Sequence, residues 1–511
     1  MHVPATPLDF LKRSETLFAD RTAVVDGDRR FTYGEFADRC RRAGGALEAL
    51  GIRPGDRVAL LCRNSTLMLE AHYAVPSLGA VLVPLNFRLL PEELQRLIDH
   101  SGAGLILYDD EFESAAAQLG CRRLSASEYE EAIDGADPVL CEVADEHDLL
   151  SINYTSGTTG RPKGVMYDHR GAYLQALAMV THGRLDLRTN YLWTLPMFHC
   201  NGWTFVWAVT AAGGTHVCLD AIDPKRIWEM IGRLSITHLN AAPTVLISLA
   251  NEESARAVGG QPLRVGTGGA PPSPSLLSRL ADFNIDVTHL YGLTETYGPA
   301  AVCAWQPEWS ELPMAEQAQL KARQGNANIL GGLHRVVDPQ GRDVPADGET
   351  VGEVILRGNN VMRGYFRDPE ATNEALRGGW FHSGDLAVMH PDGYFELRDR
   401  AKDIIIAGGE NIASIEVEQA LAAHEDVIEV AVVGASHHHW GEVPVAYVVR
   451  RAGAVLDQDT LIRFARKSLA GFKVPKEIRF VEDLPKTATG KVQKYLLRTS
   501  GPVAKSAGAQ R

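Results

Sequence analysis

Short apolar runs and amphipathic helical patterns take turns along the opening stretch of the chain, and this alternation confines it to parallel sheets covered by helices. Glu35 to Leu50 places Phe36, Cys40, Ala43, Leu47 and Leu50 at helical spacing, with Gly51 set to end the helix. Val58–Leu61, Ala80–Pro84 and Gly104–Tyr108 read as buried strands, with Leu67–Val75 as a helix between the first two. After Leu149 the pattern resumes: Tyr191–Pro196, Thr215–Leu219 and Arg264–Thr267 read as strands and Arg226–Leu234 as a helix. Glycines crowd the strand ends, where open α/β sheets form their ligand crevices. Past Arg400 the character changes. Ser414 is placed to cap a helix carrying Glu416 and Glu418 in its first turn, and Val430–Val433 and Ala446–Val449 read as strands. The reading is α/β: a large N-terminal lobe over 1–399, a connector at 400–403, and a small α+β unit over 404–511.

At 511 residues the chain holds three or four packing units, on a prior of roughly 150 residues each. Its 51 basic and 64 acidic side chains leave a net charge of −13, which argues against nucleic acid or an anionic membrane as partner. The seven cysteines (Cys40, Cys62, Cys121, Cys141, Cys200, Cys218 and Cys303) are odd in number and lack CxxC spacing. A reducing, cytoplasmic setting fits them, and neither a disulfide frame nor a zinc site does. The start of the chain lacks the form of a signal peptide. The longest apolar stretch, Ala71 to Phe87, is broken by His72, Pro76, Gly79 and Pro84, short of the roughly 20 apolar residues of a membrane span.

Chemistry concentrates in a few strings. Tyr154 to Val165, YTSGTTGRPKGV, carries the hydroxyls of Tyr154, Thr155, Ser156, Thr158 and Thr159, with Gly157, Gly160, Gly164 and Lys163. Glycines let backbone N–H groups approach an anion, while hydroxyls and a lysine add donors, a combination suited to polyphosphate. The spacing is not that of a Walker A loop, because Pro162 precedes Lys163. As bare composition, such a turn is structural more often than not. Three further strings come later in order: Gly268-Gly269-Ala270-Pro271 with Tyr291-Gly292-Leu293-Thr294-Glu295; Trp380 to Asp385 with Arg398 to Asp403; and Pro485 to Lys491.

Together these strings resemble the adenylate-forming superfamily of acyl-CoA synthetases and AMP-dependent ligases, from about Asp9 to Arg498. The resemblance implies that Thr155, Ser156, Gly157, Thr158, Thr159 and Lys163 hold the ATP phosphates with Thr294. It implies that Gly268, Gly269, Ala270, Tyr291 and Gly292 enclose adenine, that Asp385 takes the ribose, and that Arg400 touches the ribose or phosphate. Glu295 is the expected Mg²⁺ ligand, a hard oxygen suited to that ion. Lys491 is the expected catalytic lysine, carried by a small mobile domain that turns about Lys402. Thr155, Glu295 and His199 join it in the catalytic set. Gly408, Gly409, Trp440 and Phe472 look like the CoA-binding positions of CoA-using members, and Lys473 and Lys476 are candidates for CoA phosphates.

Pro196 to Trp203, PMFHCNGW, resembles the segment lining the acyl pocket, with His199, Asn201 and Trp203 as its contacts. Amino-acid-activating members carry an Asp where this chain has His199, so an acid without an amine is expected. Subgroup likeness favours a fatty acid of medium to long chain; an aryl or short-chain acid is the alternative. The expected activity is ATP-dependent acid–CoA ligation through an acyl-adenylate, with ATP, Mg²⁺ and coenzyme A, and with a homodimer left open. About 20 residues lie beyond Lys491, too few for a carrier domain, so a free thiol acceptor is preferred. Transfer to a separate carrier protein, or a nucleotide sensor without turnover, are the rival readings; acyl-CoA formation and pyrophosphate release discriminate them.

Overall fold

The structure is a computed structural model, and it describes residues 2–139, 142–155, 162–269, 272–400, 403–407, 410–437, 440–487 and 492–498. The fold class is α/β, as the alternation implies. Two large sheets form the N-terminal part. One runs in the order Arg122–Ser125, Leu105–Tyr108, Arg57–Leu61, Val81–Pro84, Leu149–Thr155 and Lys163–Asp168, parallel except for its last strand. The other has nine strands. Its middle is parallel (Leu263–Thr267, His238–Ala241, Asn190–Leu192, Thr215–Val217), and antiparallel strands close it at both ends.

The helix Thr66–Ser77, capped by Ser65, is buried along its whole length. A helix with no wet face must lie between two apolar layers, and its side chains share one core cluster with residues of both sheets. The helix Tyr33–Ala49 begins with a full capping box between Thr32 and Glu35, and Gly51 lies just past it at φ 88°. Tyr191–Pro196 is too long for a strand here: the strand stops at Leu192. Beyond it the Trp193 N–H bonds to Val217 and the chain enters a turn of unusual hand.

A third sheet has no counterpart in the sequence pattern. Arg335–Val337, Gly352–Leu356, Phe381–Met389 and Phe395–Arg400 form an antiparallel ladder, and Phe381 and Phe395 join the main core. A fourth sheet, with Ile405–Ala407, Val427–His437, Gly441–Arg450 and Glu477–Val481, carries two clusters built only from residues 405 onward.

Ser414 is the first residue of its helix and not its cap; Ala413 takes the cap position without a side-chain bond. The reason is competition for its polar groups. Its N–H donates to Asp399 on the third sheet at 2.5 Å, and its hydroxyl receives the Lys494 ammonium. Lys494 also meets Glu418 at 2.8 Å, both side chains under 20% exposed. One buried cluster therefore ties the third sheet, the helix Ser414–Ala422 and the segment Lys494–Arg498 together. Among the described residues no helix is long and apolar enough to cross a membrane, and the described cysteines are all free thiols.

Candidate active site

The strands Leu263–Thr267 and Ile285–Leu293 run side by side, and the backbone just beyond the first presses against the second. A Cβ on Gly268 would lie 2.6 Å from the Leu290 carbonyl and 3.1 Å from the Trp203 ring, so only glycine fits there. Gly269 has φ 86° and open space where a side chain would stand, leaving its backbone accessible to a flat ligand. A Cβ on Gly292 would meet the Gly298 carbonyl at 1.9 Å. Tyr291 is nearly buried; its hydroxyl donates to Asp385 at 2.8 Å and its ring lies edge-on to Phe395. Asp385 stands opposite Arg400 in the third sheet's ladder. The structure thus unites Gly268, Gly269, Tyr291, Gly292 and Asp385. Ala270 and the Arg400 side chain lie outside the described residues.

A second group gathers at the open end of the hairpin Leu149–Thr155/Lys163–Asp168, where Thr155 and Lys163 face each other in register. Ser156, Gly157, Thr158 and Thr159 lie outside the described residues. The Lys163 ammonium sits over the ring of Tyr365, 4.4 Å from its centroid. The Tyr365 hydroxyl donates to Glu295 Oε1 at 2.8 Å. Burial, and then the nearby Glu295 charge, raise the phenol well above its ordinary range, so it is a neutral donor at any working pH. A single tyrosine therefore touches both the lysine and the glutamate that the motifs single out. For Mg²⁺ the chemistry of the donor set fits: Glu295 is a half-buried carboxylate with the Thr294 hydroxyl beside it in sequence, all hard oxygen. An ion that keeps most of its shell for water and phosphate needs little more from protein.

The third group is the PMFHCNGW segment. Cys200, Asn201, Gly202, Trp203 and Thr204 all have φ between 43° and 65°, a complete turn of left-handed chain. Each non-glycine residue in that conformation costs roughly 1–2 kcal/mol, so the surroundings must enforce it. Asn201, fully buried, accepts hydrogen bonds from Ser151 at 2.8 Å and Asn153 at 2.6 Å, and its N–H donates to Asn153. Gly202 lies where a Cβ would strike Trp193. Trp203 presses between Gly268 and Gly298. Asn201 accordingly holds the turn, while Trp203 packs against two glycines.

The turn brings Cys200 to the end of the third group and the start of the second. Its thiol lies 3.7 Å from His199 Nε2 and donates to the Thr294 hydroxyl at 3.4 Å. Burial raises it to about 12, so it stays protonated. From His199 through Cys200 and Thr294 to Glu295, Tyr365 and Lys163, contacts or chain neighbours run without a gap.

Lys491, Lys402, Gly408 and Gly409 lie outside the described residues. Trp440 and Phe472 are 47% and 43% exposed on the small unit. Lys473 ion-pairs with Glu416 at 2.7 Å, which commits its ammonium within the protein. Sequence reasoning missed Tyr365, Cys200 and the pair Ser151 and Asn153. For Tyr365 a signal existed: Gly364 and Tyr365 stand just before Asp368-Pro369, a helix cap with proline after it, so the tyrosine sits at a fixed corner.

Residues 11–366 match the family model described as AMP-binding enzyme, and residues 416–491 the one described as AMP-binding enzyme C-terminal domain. The chain is 42% identical over 517 residues to 4-hydroxybutyrate–CoA ligase 2 of Metallosphaera sedula, covering 96% of this chain and 94% of that protein. It is 42% identical over 546 residues to acetate–CoA ligase CCL3 of Humulus lupulus, covering 99% and 95%. Among solved structures, o-succinylbenzoate CoA synthetase (MenE) of Bacillus subtilis, in complex with its acyl-adenylate intermediate, is 28% identical. It superposes with a TM-score of 0.85, covering 96% of this chain and 98% of that one.

Proposed function

The chain belongs to the AMP-binding enzyme family as an AMP-forming acyl-CoA synthetase, and from that premise we propose that its acid is small, a short-chain aliphatic or simple aryl carboxylate. This departs from the medium- to long-chain fatty acid that subgroup likeness favours. The observation that carries it is the tight packing of the two aromatic residues that flank His199 in the chain. Trp203, 8% exposed, fills the space between Gly268 and Gly298, and Phe198, 7% exposed, packs edge-on against Phe87. Relatives named for acetate and 4-hydroxybutyrate, and a structural neighbour named for o-succinylbenzoate, support the same range.

The substrate carboxylate, on the His199 side of the site, attacks the α-phosphorus of ATP and displaces pyrophosphate. Lys163, Thr155 and the glycine-rich string hold the leaving group, Gly268, Gly269 and Tyr291 enclose adenine, and Asp385 takes the ribose. Mg²⁺ at Glu295 neutralises phosphate charge when bound. Preorganised donors are most effective where water is excluded, and the protonated Cys200 keeps the Thr294 hydroxyl aimed. The connector at 400–403 is the proposed hinge about Lys402, turning the small domain so that Gly408, Gly409, Trp440 and Phe472 meet coenzyme A, whose thiolate attacks the mixed anhydride and expels AMP. Free, scattered thiols support a cytoplasmic setting.

Pyrophosphate release and then CoA-ester detection, screened over short, long and aryl acids, tests the substrate range; a preference for long-chain acids overturns it. Matched pairs test the amine. His199 offers no carboxylate to an ammonium, and burying that charge uncompensated costs several kcal/mol. Butyrate is expected to exceed 2-aminobutyrate in kcat/KM by about a hundredfold. Equal activity on both would reopen amino-acid activation.

A further inference from the structure

We propose that Tyr365 is a positioning residue for both ends of the pyrophosphate site, its hydroxyl orienting the Glu295 carboxylate toward the metal and its ring face holding the Lys163 ammonium. The inference rests on the ATP-using reading of this site and goes beyond it, since no motif singles out Tyr365.

The tyrosine is fixed from every side. The Phe366 N–H donates to the Gly164 carbonyl at 2.7 Å and the Met166 N–H to Gly364 at 3.0 Å, laying residues 364–366 along the strand that starts at Lys163. The Tyr365 N–H donates to the Thr372 hydroxyl at 2.8 Å, on the helix Pro369–Ala375. Gly364 has φ 143° and leaves no room for a side chain against Thr372. The Met362 N–H donates to the carbonyl of Glu295 itself at 2.8 Å. One short segment is thus hydrogen-bonded to the Lys163 strand on one side and to Glu295 on the other.

Geometry explains why this matters. A carboxylate on a freely rotating stem spreads its oxygens over many directions, and a metal that binds one oxygen must fix it first. A donor 2.8 Å from Oε1 fixes the plane beforehand. A lysine on a four-carbon stem has the same difficulty, and an aromatic face restrains its ammonium without neutralising it. When polyphosphate arrives, the ammonium is already held over the ring and the carboxylate at its hydroxyl end.

The test uses the full-length protein with a non-cleavable α,β-methylene ATP analogue, titrating Mg²⁺ by calorimetry. Tyr365→Phe removes the hydroxyl and keeps the ring. A hydrogen bond to a charged group is worth enough to raise the Mg²⁺ half-saturation about tenfold, while analogue affinity without metal stays at the wild-type value. Tyr365→Leu removes the ring too, and additionally weakens binding of inorganic pyrophosphate by about threefold. In a Glu295→Gln background, Tyr365→Phe is expected to add nothing further. An unchanged Mg²⁺ midpoint in both variants overturns the inference, as does an equal loss with and without metal, which marks a structural role alone. A wild-type protein that binds no analogue, or makes no CoA thioester, overturns instead the reading on which the inference rests.

Discussion

Lys491→Ala is expected to lower acyl-adenylate formation by about three decades and to leave thioester formation from supplied acyl-adenylate much less changed. An ammonium about 4 Å from the charge developing between carboxylate and α-phosphate, at an effective dielectric near 20, contributes ~4 kcal/mol, and each 1.36 kcal/mol is a decade. Because the small domain is proposed to withdraw Lys491 before the thiol arrives, the second half-reaction should not feel its loss. Described residues before and after the lysine pair with each other. Lys486 bridges Val492 in antiparallel fashion, and the Gln493 N–H bonds to Pro485 at 2.7 Å. Single-turnover measurement of AMP-ester formation and, separately, of CoA-ester formation checks the split; equal losses in both would remove Lys491 from the adenylation step.

The second large effect is on stability. Lys494 stands three residues beyond Lys491 in the sequence, and its ammonium is held by Glu418 and Ser414 under the helix Ser414–Ala422. Glu418 also accepts the Val432 N–H at 2.7 Å. Removing one partner of a buried pair leaves the other charge uncompensated, at a cost of ~3 kcal/mol. For a unit of about 100 residues this lowers the melting transition by roughly 12 °C or more. Lys494→Met is expected to show that loss. Glu418→Gln, which keeps an acceptor for Val432, should cost less in the Lys494→Met background than alone, with coupling of ~2 kcal/mol. Additive losses would mean that the pair contributes no mutual stabilisation.

Local patterns make the parallel sheets legible, because strands such as Val58–Leu61 and helices such as Tyr33–Ala49 announce themselves by apolar runs, spacing and caps. The antiparallel third sheet does not. Its strand Phe381–Met389 contains Gly384 at φ 69° and a register shift after Leu386, so its alternation is broken, and its pairing depends on partners far away in sequence. Tyr291, Asp385, Glu295 and Lys163 can be named from strings, yet the bonds among them cannot. The sequence marks only the corner at which Tyr365 sits, because a lone tyrosine acquires its meaning from two neighbours on different elements. Ser414 misleads because capping preference is local, whereas its groups are claimed by Asp399 and Lys494.

The left-handed turn at residues 200–204 also bears on the order in which the chain folds. A turn wound against the preferred hand costs more than its few local hydrogen bonds, such as Gly202 N–H to His199 and Thr204 N–H to Asn201, return, so it is a poor nucleus. Its support comes from elsewhere: Asn153 on a strand 48 residues earlier, and the glycines Gly268 and Gly298 against which Trp203 rests. Those strands must close their loops first, at an entropic cost that only the later packing offsets. The turn therefore forms in the final steps of folding, and in native-state hydrogen exchange its amides should open at lower free energy than those of the strands around it.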